Sequence, residues 1–154
     1  MRLYKGKTKL MYFKGDTALQ VRDGSAVILT DSATVGPVRN DSSNDRLIGV
    51  ARRNDTVTDS ALVPVEVPVE SAVEWIANTD TVGGAADSDV GRFVTLDTEG
   101  GTTAGDSCAL NVDVSDSSTA TIAATFFITG VVSATQVTGV LAQTAWHHVY
   151  DTAS

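Results

Sequence analysis

The sequence predicts an all-β protein, a single domain built as a sandwich or barrel-like fold with an extended basic arm at the N-terminus. Val and Thr are abundant, and long runs of helix-forming Leu, Glu, Lys and Ala are absent, a composition typical of strands. Short apolar segments are separated by clusters of turn-forming residues, as in sandwiches and barrels. A chain of 154 residues can bury one substantial core, so we expect one domain.

The segment 62–76 carries the clearest strand pattern. Its odd positions are nearly all apolar, whereas every charge and every proline falls on an even position. A period of two predicts an extended strand with one buried face and one solvated face. Pro64 and Pro68 have no N–H to donate, and Glu66 between them is charged. The sequence therefore predicts an edge strand that is protected on that side against further pairing.

The other elements are predicted from alternation and turn residues. Asp23-Gly24 predicts a hairpin turn, and residues 31–45 predict an exposed loop. Ser133 and Gln136 could open a helix as a capping box, but Gly139 and its β-branched neighbours favour strands. The remaining predicted strands cover residues 8–13, 18–22, 26–30, 46–52, 92–96, 110–114, 122–128, 130–133 and 137–142.

Charge is divided unevenly along the chain. Residues 1–14 contain five basic residues and no acid, a formal charge of +5, whereas the remainder has six arginines against nineteen acids, which gives −13 and a total of −8. This asymmetry predicts a basic arm, residues 1–14, on an acidic β-rich body, residues 15–154. The arm residues that we expect to dock are Arg2, Tyr4, Lys5, Lys7, Lys9, Leu10, Tyr12, Phe13 and Lys14.

Three readings of the basic arm compete. It could dock on an acidic protein surface, with its aromatic and aliphatic side chains as apolar anchors. It could bind nucleic acid, but a body at −13 would oppose a polyanion at close range. It could also be a solvated terminal strand without a partner. Docking on protein is favoured over the solvated strand, and direct binding of nucleic acid is disfavoured.

The residues that usually carry chemistry form no recognisable pattern. His147 and His148 are adjacent, so on a strand they point to opposite faces and do not suit one metal ion. Cys108 has no neighbouring base, and Asp87 with Asp89 lacks the spacing of a calcium loop. The glycine-rich stretches match no phosphate-binding motif. We therefore expect no catalytic, metal or cofactor site, and a protein that is not an enzyme.

The sequence also indicates a compartment. No apolar run approaches the length of a transmembrane span, and the basic N-terminus lacks the apolar stretch of a secretory signal. The single cysteine permits no intrachain disulfide. We expect a protein made in a reducing cytoplasm, with no membrane partner.

Three segments resemble the small capsid decoration, or cement, proteins of tailed bacteriophages. They are RLIGVARRNDTVTDSALVPVEVP, VGRFVTL and FFITGVVSATQV, which begin at residues 46, 90 and 126. The likeness covers residues 46–142 and consists of a succession of strands. It implies a β-rich module on the outer capsid surface of the virion, a homotrimer at three-fold positions that binds the major capsid protein and reinforces the shell.

The resemblance leaves two other functions open. A tail or head-fibre component of a phage would share the β composition but bind tail proteins or the host surface. A carbohydrate-binding β module would need exposed aromatic rings, and only two Trp and three Tyr are present. Trp146 and Tyr150, near the C-terminus, are candidates for the subunit interface. We expect the arm to leave the body, so that a chain without residues 1–14 folds but no longer binds heads.

Overall fold

Strands dominate the structure, which confirms the predicted all-β class. The computed structural model describes residues 1–15, 19–29, 34–38, 46–57, 62–70, 73–79, 84–98, 109–118 and 125–141. Apart from strands, these ranges contain one short 3-10 turn, Asp87–Asp89. The strands in chain order are β1 (Arg2–Lys5), β2 (Thr8–Lys14), β3 (Leu19–Val21), β4 (Ala26–Leu29), β5 (Val35–Pro37), β6 (Arg46–Ala51), β7 (Asp55–Val57), β8 (Leu62–Pro68), β9 (Glu74–Thr79), β10 (Phe93–Thr98), β11 (Ala109–Ser118), β12 (Thr125–Ser133) and β13 (Gln136–Leu141).

Five strands close into a barrel. The order around it is β9, β13, β12, β10 and β11, with antiparallel pairing at each of these steps. The ring is completed by a parallel contact between β11 and β9, where Asn111 pairs with Asn78 and Val112 with Thr79. Closure leaves no unpaired edge within the ring, which is how barrels avoid open sheet edges.

Alternate residues of the barrel strands fill its interior. On β12, Phe126 and Ile128 are buried whereas Phe127 and Thr129 are half-buried, as the alternation in the sequence predicts. Trp75 on β9 is fully buried and is the largest side chain in this core. The barrel core also contains Ala26, Ile28, Val38, Leu47, Val50, Val73, Ala77, Val94, Leu96, Val112, Val114, Val137 and Leu141.

A second sheet continues from the barrel wall and encloses a second core. Its order is β5, β4, β6, β8 and β2, and β4 joins the barrel where Ala26 pairs with Ala109 of β11. A separate pair, β3 with β7, contributes Val21 to the same core. The second core consists of Val21, Val27, Val35, Ile48, Ala51, Val63, Val65 and Val67, with Met11, Phe13 and Leu29 packed against it.

The segment 62–76 forms two strands, which corrects the prediction of a single one. Five of its odd positions are buried as predicted: Val63, Val65 and Val67 lie in the second core, and Val73 and Trp75 lie in the barrel core. Val69 was predicted on the same face, but 43% of its surface is exposed. The chain leaves β8 after Pro68 and enters β9 at Glu74. The alternating pattern of this segment therefore spans two strands, and their buried residues lie in two separate hydrophobic cores.

The prediction that β8 is an edge strand is wrong. Strand β8 lies between β2 and β6, and its ladder with β2 runs over seven residue pairs, from Thr8–Pro68 to Lys14–Leu62. The side that the prolines face does carry the shorter ladder, with two pairs to β6. There the Arg52 N–H donates to the Pro64 carbonyl, a bond that needs no N–H from proline.

Two smaller predictions also need correction. Asp23-Gly24 is a turn, and Gly24 has a positive φ of 85°, but the strands on either side pair elsewhere and form no hairpin with each other. The predicted loop at 31–45 contains β5, which pairs with β4. Trp146, Tyr150, both histidines and Cys108 lie outside the described residues.

Substitution of Gly139 tests how tightly the barrel wall is packed. A Cβ at this position would lie 2.2 Å from the Phe127 carbonyl oxygen and 2.3 Å from the Phe126 ring. Neither group can easily move away, because the first belongs to the backbone and the second is fully buried. We expect Gly139→Ala to lower the free energy of unfolding by about 3 kcal/mol, measured by urea denaturation.

Gly91→Ala is the matched control for this substitution. Nothing lies within 4 Å of its Cβ position, and its φ of 85° makes the cost mainly conformational, roughly 1–2 kcal/mol. Equal stability losses for the two variants would show that the barrel wall is looser at Gly139 than the structure indicates.

Candidate docking surface

Residues 1–14 are extended, as predicted, but they are part of the sheets and do not leave the body. Strand β1 pairs with β9 of the barrel, and β2 pairs with β8 of the second sheet. Gly6, with a positive φ of 103°, lies between the two strands. The basic segment therefore connects the barrel to the second sheet. Its removal would strip two strands from the fold, so we expect truncation to destabilise the protein, contrary to the prediction of a folded remainder.

One cluster of polar contacts fixes this segment to the body. The Arg52 guanidinium binds the Glu66 carboxylate of β8 and donates to the Met1 carbonyl over 3.3 Å. The other Glu66 oxygen accepts a hydrogen bond from the Thr8 hydroxyl at 2.5 Å. The guanidinium also lies 5.9 Å from the centre of the Trp75 ring, within the range of a cation–π contact. This cluster therefore joins β2, β8 and the barrel.

The Met1 amino group is partly buried beside the same arginine. It donates to the Gly24 carbonyl, and burial, followed by repulsion from Arg52, lowers the pKa of this amine from 8.0 to about 6. Asp23 opposes the shift. The neutral amine is therefore the form that the folded protein prefers at neutral pH.

Several of the predicted docking residues are exposed. Tyr4, Leu10 and Tyr12 have 57%, 49% and 63% of their surface exposed. The exposed basic side chains are Arg2, Lys5, Lys7, Lys9 and Lys14. Phe13 differs from the others, because it is partly buried against the second core together with Met11. Its role is in packing, and its prediction as a docking anchor is not supported by this position.

Alternate residues of β2 share one face with residues of β8. In the ladder, Tyr12 lies opposite Pro64 and Lys14 opposite Leu62, and Leu10 is two residues from Tyr12 on the same face. Leu62 has 54% of its surface exposed, and the sequence did not identify it as a docking residue. We call Leu10, Tyr12, Lys14, Leu62 and Pro64 the β2 face. It is an apolar strip with a lysine at one end, exposed except at Pro64, which is half-buried.

The lysines of the segment keep their charge available. Among the described residues, the ammonium groups of Lys5, Lys7, Lys9 and Lys14 form no ion pair. The backbone N–H of Lys7, however, donates to the Glu70 carboxylate at 2.8 Å. A cationic surface thus persists on a protein whose formal net charge is −8.

The acidic pair Asp87 and Asp89 does not form a cation site with its described neighbours. Asp89 is buried, its carboxylate accepts the Ala86 N–H at 2.9 Å, and it lies 3.8 Å from Arg92. These contacts cap the short 3-10 turn. In the described part of the chain, no group of three or more His, Cys, Asp or Glu side chains is placed to hold a metal ion.

Comparison with protein-family models, with curated proteins and with solved structures finds no match to this chain. Within the described ranges, no helix has the length and apolar character needed to cross a membrane.

The buried Met1 amine predicts a pH dependence of stability. Its pKa is about 6 in the folded protein against 8.0 ordinarily, so between these values the unfolded chain binds more protons. Stability should rise by roughly 1–3 kcal/mol as the pH increases from 6 to 8. Urea denaturation across this range measures it, in a His147→Gln/His148→Gln background that removes the histidine titrations. A stability that is flat or falls over this window would contradict the buried position of the amine.

Proposed function

We propose that this protein is a structural decoration protein of a tailed-phage capsid. It binds the outside of the assembled head, contacts the major capsid protein and strengthens the shell, as a homotrimer at three-fold positions. The protein acts by adhering to the capsid, so its functional residues are those that form the binding surface.

The cationic surface of residues 1–14 carries this proposal. It combines lysines that form no ion pair with any described residue with exposed Tyr4, Leu10 and Tyr12, a combination of charge and aromatic side chains that protein interfaces favour. The rest of the chain, at a formal charge of −13, would repel its own copies and so limit their aggregation on a crowded particle. The protein therefore has one surface suited to an acidic partner and a body suited to solvent.

The resemblance to decoration proteins supplies the identity of the partner. The segments that carry it contain strands β6, β8 and β10 and the hairpin of β12 and β13, so each belongs to the paired framework of the fold. They lie outside residues 1–14. The proposed function thus has two independent supports, a succession of strands and a separate adhesive surface.

Binding to a shell does not require a strong single contact. A trimer that engages three equivalent positions gains affinity through effective concentration, by a factor of about 10²–10⁴ over one contact. Moderate electrostatic attraction by each basic segment is then sufficient. It would also make binding sensitive to salt, because exposed charges are screened within about 10 Å at 0.1 M ionic strength.

Neutralising two lysines of β2 tests the proposal. We expect Lys9→Gln/Lys14→Gln to weaken binding to purified heads that lack the protein at least tenfold, because two exposed cations of the docking surface are lost. Co-sedimentation of protein with heads measures the affinity, at two salt concentrations. Thermal melting should be nearly unchanged, since both side chains are exposed.

Arg22→Gln/Arg53→Gln is the matched control. It removes the same charge from exposed positions outside residues 1–14 and should bind heads as the unmodified protein does. If the lysine and arginine variants bind equally well, the basic surface has no part in docking. If the unmodified protein itself does not bind heads, the decoration function is wrong.

A further inference from the structure

Strand β2 is an edge strand, and its register shows which backbone groups face outward. Among the described residues β2 pairs with β8 alone; one isolated parallel bridge, Gly15 to Val35, lies just beyond its end. The Val69 N–H donates to the Lys7 carbonyl at 3.1 Å. In an antiparallel ladder the bonded pairs recur every second residue, so the odd residues of β2 bond to β8.

The even residues of β2 therefore direct their N–H and C=O groups away from β8. This assignment agrees with the partner strand, because the ladder places Pro64 and Pro68 opposite Tyr12 and Thr8, and a proline has no N–H to offer there. Leu10 and Tyr12 each present one N–H and one C=O along an exposed strand. Such a row is the usual template for an added strand.

The side chains of β2 indicate the chemistry of that strand. Four apolar residues, from Leu10 to Phe13, stand between Lys9 and Lys14. A strand that lies alongside would place apolar residues next to the central four and carboxylates next to the two lysines. From Lys9 to Lys14 the edge spans roughly 17 Å at about 3.4 Å per residue, the length of a six-residue strand.

The same lysines disfavour pairing of β2 with β2 of a second copy. In a symmetric antiparallel pair the outward-facing even residues of the two copies lie opposite each other, so Lys9 does not face Lys14 directly. The pair would still bring two cationic strands to about 5 Å from each other, where their like charges repel. The edge therefore favours an acidic segment over β2 of a second copy.

We propose that the β2 edge binds an extended segment of a partner protein by strand addition, and that this segment has about four apolar residues flanked by acidic ones. The proposal rests on the proposed function, for which it names the chemistry that the shell protein would present. Backbone hydrogen bonds to Leu10 and Tyr12 would supply affinity, and the two lysines would select the partner. The competing explanation is that the lysines only protect a free edge from aggregation.

The first test uses peptides and does not depend on heads. Its probes are the capped peptide Thr-Glu-Val-Leu-Val-Tyr-Glu-Thr and a version with lysines in place of both glutamates, each carrying a fluorophore. By fluorescence anisotropy, the intact protein should bind the acidic peptide at least tenfold more tightly. The Lys9→Glu/Lys14→Glu variant should reverse this preference. An unchanged preference, or no binding of either peptide by the intact protein, would overturn the proposal.

The second test separates the backbone of β2 from its side chains. Tyr12→Ala removes the exposed ring, whereas Tyr12→Pro also removes the outward N–H and leaves the bonds of the odd residues to β8 in place. Proline is tolerated at edge positions of this kind. We expect Tyr12→Pro to bind the acidic peptide, and heads, at least tenfold more weakly than Tyr12→Ala. Thermal melting confirms that both variants are folded.

The outcomes distinguish this proposal from the proposed function. Equal binding by the two Tyr12 variants would overturn strand addition even where heads are bound. Crosslinks between β2 of two copies in solution would also overturn it, because a second copy would then be the occupant. If the acidic peptide binds as expected but heads do not, strand addition stands and the decoration function fails. If Tyr12→Pro does not fold, hydrogen exchange decides the question: the amides of Leu10 and Tyr12 should become protected when the acidic peptide binds, and unchanged exchange would overturn strand addition.

Discussion

The ladder between β2 and β8 fixes both the fold of the basic segment and the surface that it exposes. Seven consecutive residue pairs hold the basic segment to the second sheet. Their register determines which side chains of the segment are buried and which are exposed. It directs Met11 and Phe13 to the second core and leaves Leu10 and Tyr12 in solvent. A shift of one residue would exchange these faces and bury the wrong side chains. The adhesive surface is therefore a consequence of the same pairing that stabilises the fold.

Two cores share one layer of strands, and this explains the most apolar stretches of the chain. Strands β4 and β6 are covered on both sides: Ile28 and Leu47 lie in the barrel core, whereas Val27 and Ile48 lie in the second core. Strands that are buried on both faces have continuous apolar sequences without alternation. Gly49, whose Cβ would be 2.2 Å from the Glu66 carbonyl oxygen, lets β6 approach β8 closely at this layer.

Local pattern predicted the strands well because alternation and turn residues act over a few positions. The hairpin of β12 and β13 and the alternation from Asn111 to Val114 needed no information from elsewhere in the chain. The pairing partner of each strand was harder to predict from local pattern, since β2 pairs with a segment about fifty residues away. The prolines at 64 and 68 suggested a free edge, whereas the structure uses their side of β8 for a short ladder.

The composition and the extended conformation of the candidate surface were predicted, but its pairing with the body was not. The excess of positive charge in residues 1–14 is visible in the sequence, and so are Tyr4 and Tyr12. A strand over residues 8–13 was predicted, but its pairing with β8 was not, because the lysines favoured an arm that leaves the body and docks on a partner. Lysines are compatible both with a solvated segment and with a paired edge strand, since at a sheet edge they prevent unwanted pairing while their ammonium groups remain in solvent. Leu62 was missed because only the ladder places it beside the basic segment, opposite Lys14.

Residue-resolved hydrogen exchange of the backbone amides shows whether the outer edge of β2 is free. In the free protein, protection should alternate along β2. The amides of Lys9, Met11 and Phe13, which bond to β8, should be protected, whereas those of Leu10 and Tyr12 should exchange rapidly. Uniformly rapid exchange would mean that the segment leaves the body, and uniform protection would mean that the edge is already covered. Either result would contradict an adhesive surface built on the free edge of β2.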